Sequence, residues 1–286
     1  MKAKLFLACL CLCLGFAVAS VSAKEVDINV NKADGDGLVR LTPDNFIVIR
    51  GHIDGMTASK TISEMMTHQN DKELYIYISS PGGYVTSGLE IIRMMESLTL
   101  NGVEVKCIAD TALSMGFVIF QYCPVRYVTS SSILMQHQLS TGLRGPINQV
   151  VNYLEFVKSM EETVDAAQAN RLGMTVSDFL AKTGDDWWLF GSSAVKYKAA
   201  DSVANVLCDF EPGFVTKVFH TFFGDIEATY SNCPMARDPV KISMNGTVLP
   251  LHMTLEAAVK QNIYGNSNEH LDYSYDKDAH GARYKE

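Results

Sequence analysis

Two apolar segments, residues 74–78 (Leu-Tyr-Ile-Tyr-Ile) and 103–109 (Val-Glu-Val-Lys-Cys-Ile-Ala), constrain this chain more than any other feature, because each runs through a turn into a helical pattern. The first lacks strong hydrophobic alternation, the mark of a strand covered on both faces. Between them residues 86–98 place Leu89, Ile92 and Met95 on one side of a helix. Strand, Gly-rich turn, helix, strand, turn and helix make two successive right-handed crossover units, which need a mostly parallel sheet. Ligands of such sheets collect at the carboxyl ends of the strands. Both turns, residues 79–84 (Ser-Ser-Pro-Gly-Gly-Tyr) and the one carrying Ser114, lie at that end.

Upstream, residues 24–45 hold two short alternating segments around a turn, followed by a strand at 46–50 and a helical pattern at 56–68. Downstream, short strands are expected at 126–128 and 133–135, the second leading into Gln136, His137 and Gln138. A long helix is expected from Pro146 to about Leu172, with Val150, Leu154, Val157, Val164 and Ala167 on its apolar side. A helix at 176–182, a strand at 187–190, a helix at 192–198 and a segment at 202–207 complete the regular part. Beyond Leu207 the periodicity weakens, with one helix expected at 253–262 and a polar end at 265–286.

A serine at a strand-to-helix corner projects its hydroxyl from the sheet end, while the next residues offer backbone N–H groups without helical partners. Acyl transfer needs such a nucleophile, a base, a group orienting the base and donors for the oxyanion. Ser114, His137 and an acid at Asp185 or Asp186 are the candidates for the first three. The backbone N–H groups of Gly83 and Met115 are candidates for the fourth, one because a residue without Cβ admits close main-chain approach, the other because it opens a helix. The remaining histidines form no close ligand pair, so no metal site and no cofactor is expected. Asp201 reads as a helix-end or interface acid, and Trp187 and Trp188 as strand packing.

The net charge of −8 and the lack of a basic tract argue against nucleic-acid binding. Residues 1–23 read as a cleavable export signal: Lys2 and Lys4, an apolar run, then small residues ending at Ala23. Its removal takes two positive charges, leaving −8 − 2 = −10. The expected location is therefore periplasmic or secreted. Cys9, Cys11 and Cys13 fall in that signal, leaving Cys107, Cys123, Cys208 and Cys233. Cys208 and Cys233 form a plausible disulfide pair in an oxidising compartment, while Cys107, in an apolar strand, suits a small buried thiol as well as a bridge.

Several motifs agree, in order, with one family. The chain resembles the proteolytic subunit of the Clp protease family over roughly residues 44–206. The likeness rests on residues 46–54 (Phe-Ile-Val-Ile-Arg-Gly-His-Ile-Asp), 77–88 (Tyr-Ile-Ser-Ser-Pro-Gly-Gly-Tyr-Val-Thr-Ser-Gly), 112–116 (Ala-Leu-Ser-Met-Gly), 135–138 (Met-Gln-His-Gln) and 186–189 (Asp-Trp-Trp-Leu). Counting back from Tyr197 and Asp201, which resemble the end of the family's aspartate segment, favours Asp186 over Asp185. The resemblance implies Ser114 as nucleophile, His137 as base, Asp186 as orienting acid, and Gly83 and Met115 as oxyanion donors. The chain departs from the family pattern at Ser79, Leu113 and Lys198 and in the segment after His137, which touches substrate selection.

The implied fold is α/β, a ClpP/crotonase-like spiral of repeated ββα units with a long handle helix. The implied division is residues 1–23 as signal, 24–206 as peptidase domain and 207–286 as an extension of open role. The implied activity is a serine endopeptidase acting on peptides or unfolded proteins inside a homo-oligomeric ring, of seven subunits or of two stacked rings. An ATP-driven unfoldase partner is not expected outside the cytoplasm. The rival readings are a catalytically silent ring scaffold and a crotonase-like acyl-CoA enzyme, which would not need Ser, His and Asp in this order. A Ser and Lys peptidase is a further rival, but no lysine stands out as its base.

Overall fold

The computed structural model describes residues 37–221 and 224–249. In chain order its elements are β1 (Leu38–Leu41), β2 (Phe46–Arg50), α1 (Gly55–Thr67), β3 (Glu73–Ser80), α2 (Val85–Leu100), β4 (Glu104–Leu113), α3 (Met115–Tyr122) and β5 (Val125–Gln136). Then come α4 (Ile147–Leu172), α5 (Val176–Thr183), β6 (Trp187–Phe190), α6 (Ser192–Lys196), β7 (Ser202–Val203) and β8 (Asn205–Cys208). A last group holds β9 (Phe214–Thr221), β10 (Gly224–Ser231), β11 (Lys241–Met244) and β12 (Thr247–Val248). The export signal, the helix expected at 253–262 and the polar end lie outside the described residues.

The central sheet runs β2-β3-β4-β5-β6, parallel from β2 to β5, with β6 antiparallel to β5 and β7 joining β5 in parallel. Side chains alternate across a strand, and β3 uses this to serve two cores. Leu74, Ile76 and Ile78 pack with Ile91, Met95, Phe117 and Phe120 of α2 and α3. Tyr75 and Tyr77 face the other way, into a smaller core with Val39, Leu41, Ile108 and Tyr127. The fold is thus mixed α/β, with helices on one face and the parallel β1 and β8 pair helping to cover the other. Each fully buried Leu or Ile here contributes about 1.5–3 kcal/mol.

Local chemistry sets the ends. Asp54 caps α1, its carboxylate accepting from Thr57 N at 2.8 Å. Gly173 ends α4 in the left-handed conformation. Pro146 is the residue before α4 rather than its first turn.

Four expectations need correction. The strands expected at 126–128 and 133–135 are one strand, β5, whose irregular middle is held by Ser132 Oγ, which donates to Ala109 O and accepts from Thr129 N at 2.6 Å. The region after Leu207, read as weakly patterned, forms a four-stranded antiparallel sheet, β12-β11-β10-β9. On α4, Leu154 is not part of a buried stripe: Ile147, Val151, Tyr153, Leu154 and Phe156 are exposed, and burial begins at Val157. Trp187 packs against Phe117 and Tyr197, but Trp188 is exposed.

Two disulfides are present among the described residues. Cys208–Cys233 ties β8 to the loop after β10, and Cys107–Cys123 ties β4 to the end of α3. Arg50 donates to the carbonyl oxygens of Pro234 and Ala236, and Arg237 pairs with Asp110 on β4, its Nη2 2.9 Å from Oδ1. The loop after β10 is therefore fastened to β2 and to β4, the strand that leads into the Ser114 turn.

Candidate active site

The register of β4 against β5 pairs Leu113 with Met135, so the residues that leave the two strands start side by side. The Ser114 amide donates to Met135 O at 2.9 Å, and its carbonyl accepts from Val118 N at 3.1 Å. With the backbone held on both sides, the hydroxyl is presented to an imidazole: Ser114 Oγ lies 2.8 Å from His137 Nε2. When Nε2 accepts from the hydroxyl, the ring proton resides on Nδ1.

Ser114 has φ 52° and ψ −121°, a conformation that L-residues rarely adopt. Such a residue costs of order 1–3 kcal/mol and persists only where its surroundings over-determine it. A sharp strained corner of this kind sets a serine hydroxyl at the top of a sheet.

The second turn comes from β3. Ile53 and Gly83 form a bridge in which Ile53 N donates to Gly82 O and Tyr84 N donates to Ile53 O, both at 2.8 Å, so the Gly83 N–H is turned away from it. Ser80 Oγ holds the loop, donating to Gly51 O at 2.6 Å and accepting from Gly82 N at 3.0 Å. Glycine is required here: a Cβ on Gly83 would lie 2.2 Å from Ile53 O, and one on Gly82 would lie 2.7 Å from Ser114 Cβ. Met115 opens α3, where its N–H has no intrahelical partner.

Gly83, Ser114, Met115 and His137 all line one cavity of about 90 Å³. Its walls are completed by Val85 and Val118, by Gln136 and the segment 138–140, and by Glu161, Val164 and Asp165 of α4. Burial, reinforced by the neighbouring Glu161, pushes the Asp165 carboxyl up to about 6. These two acids were not singled out in the sequence. The signal was present: Val157, Glu161, Val164, Asp165 and Gln168 follow the spacing of a buried helix stripe, so two of its positions are acidic.

Asp186 is placed differently. Gln136 pairs with Trp187 in the antiparallel β5 and β6 register, so Asp186 is the next position beside His137. The pairing stops there, because Asp186 has φ 55° and turns the chain out of the strand. Its side chain is exposed, and no hydrogen bond or ion pair joins it to His137 in the structure. Asp201 pairs instead with Arg126, Nη2 to Oδ1 at 2.7 Å, and with Arg171.

Comparison with protein families assigns this framework. The Clp protease family model matches residues 31–206, which hold β1 to β7, the six helices among the described residues and every residue of the cavity. The chain belongs to the Clp protease family. Its family is one of peptidases, and the cavity sits where the sheet ends meet.

Proposed function

We propose that this Clp protease family member is a serine endopeptidase in which Ser114 attacks the substrate carbonyl. The observation that carries the reading is the 2.8 Å contact from Ser114 Oγ to His137 Nε2 at a strained corner. As Oγ bonds to the carbonyl carbon, His137 takes the hydroxyl proton, and the oxyanion is met by the N–H groups of Gly83 and Met115. Collapse breaks the C–N bond, with the His137 proton leaving on the amine. Water then repeats the sequence on the acyl-enzyme, restoring Ser114 and releasing the acid. Asp186 completes the set by rotating toward His137 Nδ1 on substrate binding or assembly, since catalytic hydrogen bonds tighten in the working complex.

The exposed Ile147, Val151, Tyr153 and Phe156 on the projecting turns of α4 support a homo-oligomer, with a second copy covering that face. The reading adds export, supported by the pairing of all four cysteines that follow residue 23. Substrates are then peptides or unfolded proteins, taken without an ATP-driven partner.

The separation of Asp186 from His137 favours a second reading, a silent ring scaffold. Fluorophosphonate labelling separates the two. Modification mapped to Ser114 and lost in His137→Ala supports the peptidase, whereas an unlabelled, folded oligomer supports the scaffold. Light scattering on the purified chain tests assembly, and a monomer at micromolar concentration defeats the ring.

A further inference from the structure

The cavity beside Ser114 is apolar at its walls and acidic at one side. Val85, Met115, Val118, Leu139 and Val164 form the walls, and Glu161 and Asp165, one helical turn apart, face it from α4. Like charges at this spacing repel, and neither carboxylate forms an ion pair among the described residues. Glu161 Oε1 accepts from Leu139 N at 3.2 Å, while Asp165 has no hydrogen-bond partner there. A separate observation points the same way. Gln136, 4% exposed, lines the cavity, and its Oε1 accepts no hydrogen bond, its Nε2 being given to Gln168. An acceptor left unmade in a buried site is costly, so this wall of the cavity is polar and not satisfied by the protein's own groups.

We infer that this cavity takes a basic side chain, so that the enzyme cleaves beside lysine or arginine. The inference rests on the peptidase reading above and names its substrate class. A lysine or arginine side chain has the matching shape: an apolar stem for the valine walls and a cationic end for the two carboxylates. The cation also offsets the burial and the Glu161 repulsion that together push the Asp165 carboxyl up to about 6.

The test uses coumarin-amide peptides identical except before the scissile bond, where they carry lysine, its uncharged isostere norleucine, or glutamate. Lysine should exceed norleucine in kcat/KM by about tenfold or more, and the ratio should fall to about one in the Glu161→Gln, Asp165→Asn double variant. The ratio should also fall between pH 7.5 and pH 5 as Asp165 takes up its proton. The titratable groups facing Asp165 are Glu161 on the same helix and His137 after β5, since α2 and α3 present only Val85, Met115 and Val118. His137 acts on both substrates alike, so its contribution cancels in the ratio. A norleucine peptide cleaved as well as the lysine peptide, or a lysine preference that survives in the double variant, overturns the inference.

Fluorescence of p-aminobenzamidine supplies a readout without turnover. It should bind the native chain and Ser114→Ala alike, and about tenfold more weakly to the double variant. Binding that depends on the acids, with no peptide cleaved, keeps the cation site and defeats the peptidase reading. Cleavage without lysine preference or probe binding does the reverse, and failure of both removes both.

Discussion

The chain makes the same corner twice. Ser114 between β4 and α3 has φ 52° and ψ −121°, and Gly191 between β6 and α6 has φ 50° and ψ −125°. Both precede a helix, and both have amides that donate to β5, one to Met135 O and the other to Ser132 O, at 2.9 Å. At Gly191 the absence of a Cβ makes the conformation inexpensive and also necessary, since a Cβ there would lie 2.4 Å from Ser130 O. At Ser114 a Cβ is retained against the backbone preference, and its hydroxyl faces an imidazole. One corner serves the fold, the other is the one we propose for chemistry, and the strain at the second marks the difference.

The largest effect follows from that assignment. Ser114→Ala and His137→Ala should each lower kcat by about 10⁵- to 10⁶-fold, read by burst and steady-state kinetics on a coumarin-amide peptide. Ser114→Gly, which copies the other corner, should lose activity equally yet gain about 1 kcal/mol of stability by urea titration, because glycine accepts the positive φ. A destabilised Ser114→Gly breaks the comparison. Next comes Asp186→Asn, expected to cost about 10⁴-fold in kcat if the carboxylate swings in to fix the His137 tautomer. An unchanged rate shows that the pair at Ser114 works without it. At the other corner Gly191→Ala should leave the site chemistry intact but cost about 2–4 kcal/mol, from a forced positive φ together with the clash at Ser130.

The same contrast explains what the sequence made legible. The strand at 187–190 follows from a continuous apolar run and the helices after residues 55 and 85 from apolar residues at helical spacing, and the Ser114 turn was visible because a serine broke an apolar run at its end. β5 read as two pieces because Thr129, Ser130, Ser131 and Ser132 carry no hydrophobic signal; Thr129 and Ser132 bond to each other and Ser132 Oγ donates to Ala109 O on β4. The C-terminal sheet went unread because β9 buries almost nothing: Phe214, Val215, Val218 and Phe219 are exposed, so side-chain alternation is not enforced. Asp186 shows the limit most clearly, since its place beside His137 is a matter of strand register, whereas the contact proposed for it requires a side-chain rotation that no spacing encodes.

The smallest effect concerns the second liability at the Ser114 corner. The Gly191 corner has its polar groups matched, with Ser193 Oγ accepting from Phe190 N at 2.8 Å, but beside Ser114 a partly buried Asp165 lacks a partner among the described residues. Its carboxyl moves from 3.8 unfolded to about 6 folded, so the folded state disfavours the charged form. The penalty is fully present above about pH 6, shrinks as the group binds its proton, and vanishes below about pH 4, where both states are protonated. At full strength such a change is worth ~3 kcal/mol, which partial exposure reduces to about 1 kcal/mol. Asp165→Asn should therefore raise Tm by about 2–4 °C at pH 7.5 and by progressively less as the pH falls from 6 to 4, measured by calorimetry. A gain that is the same at both ends of that range would mean that the asparagine acts through packing, and that the charge at this corner costs the fold nothing.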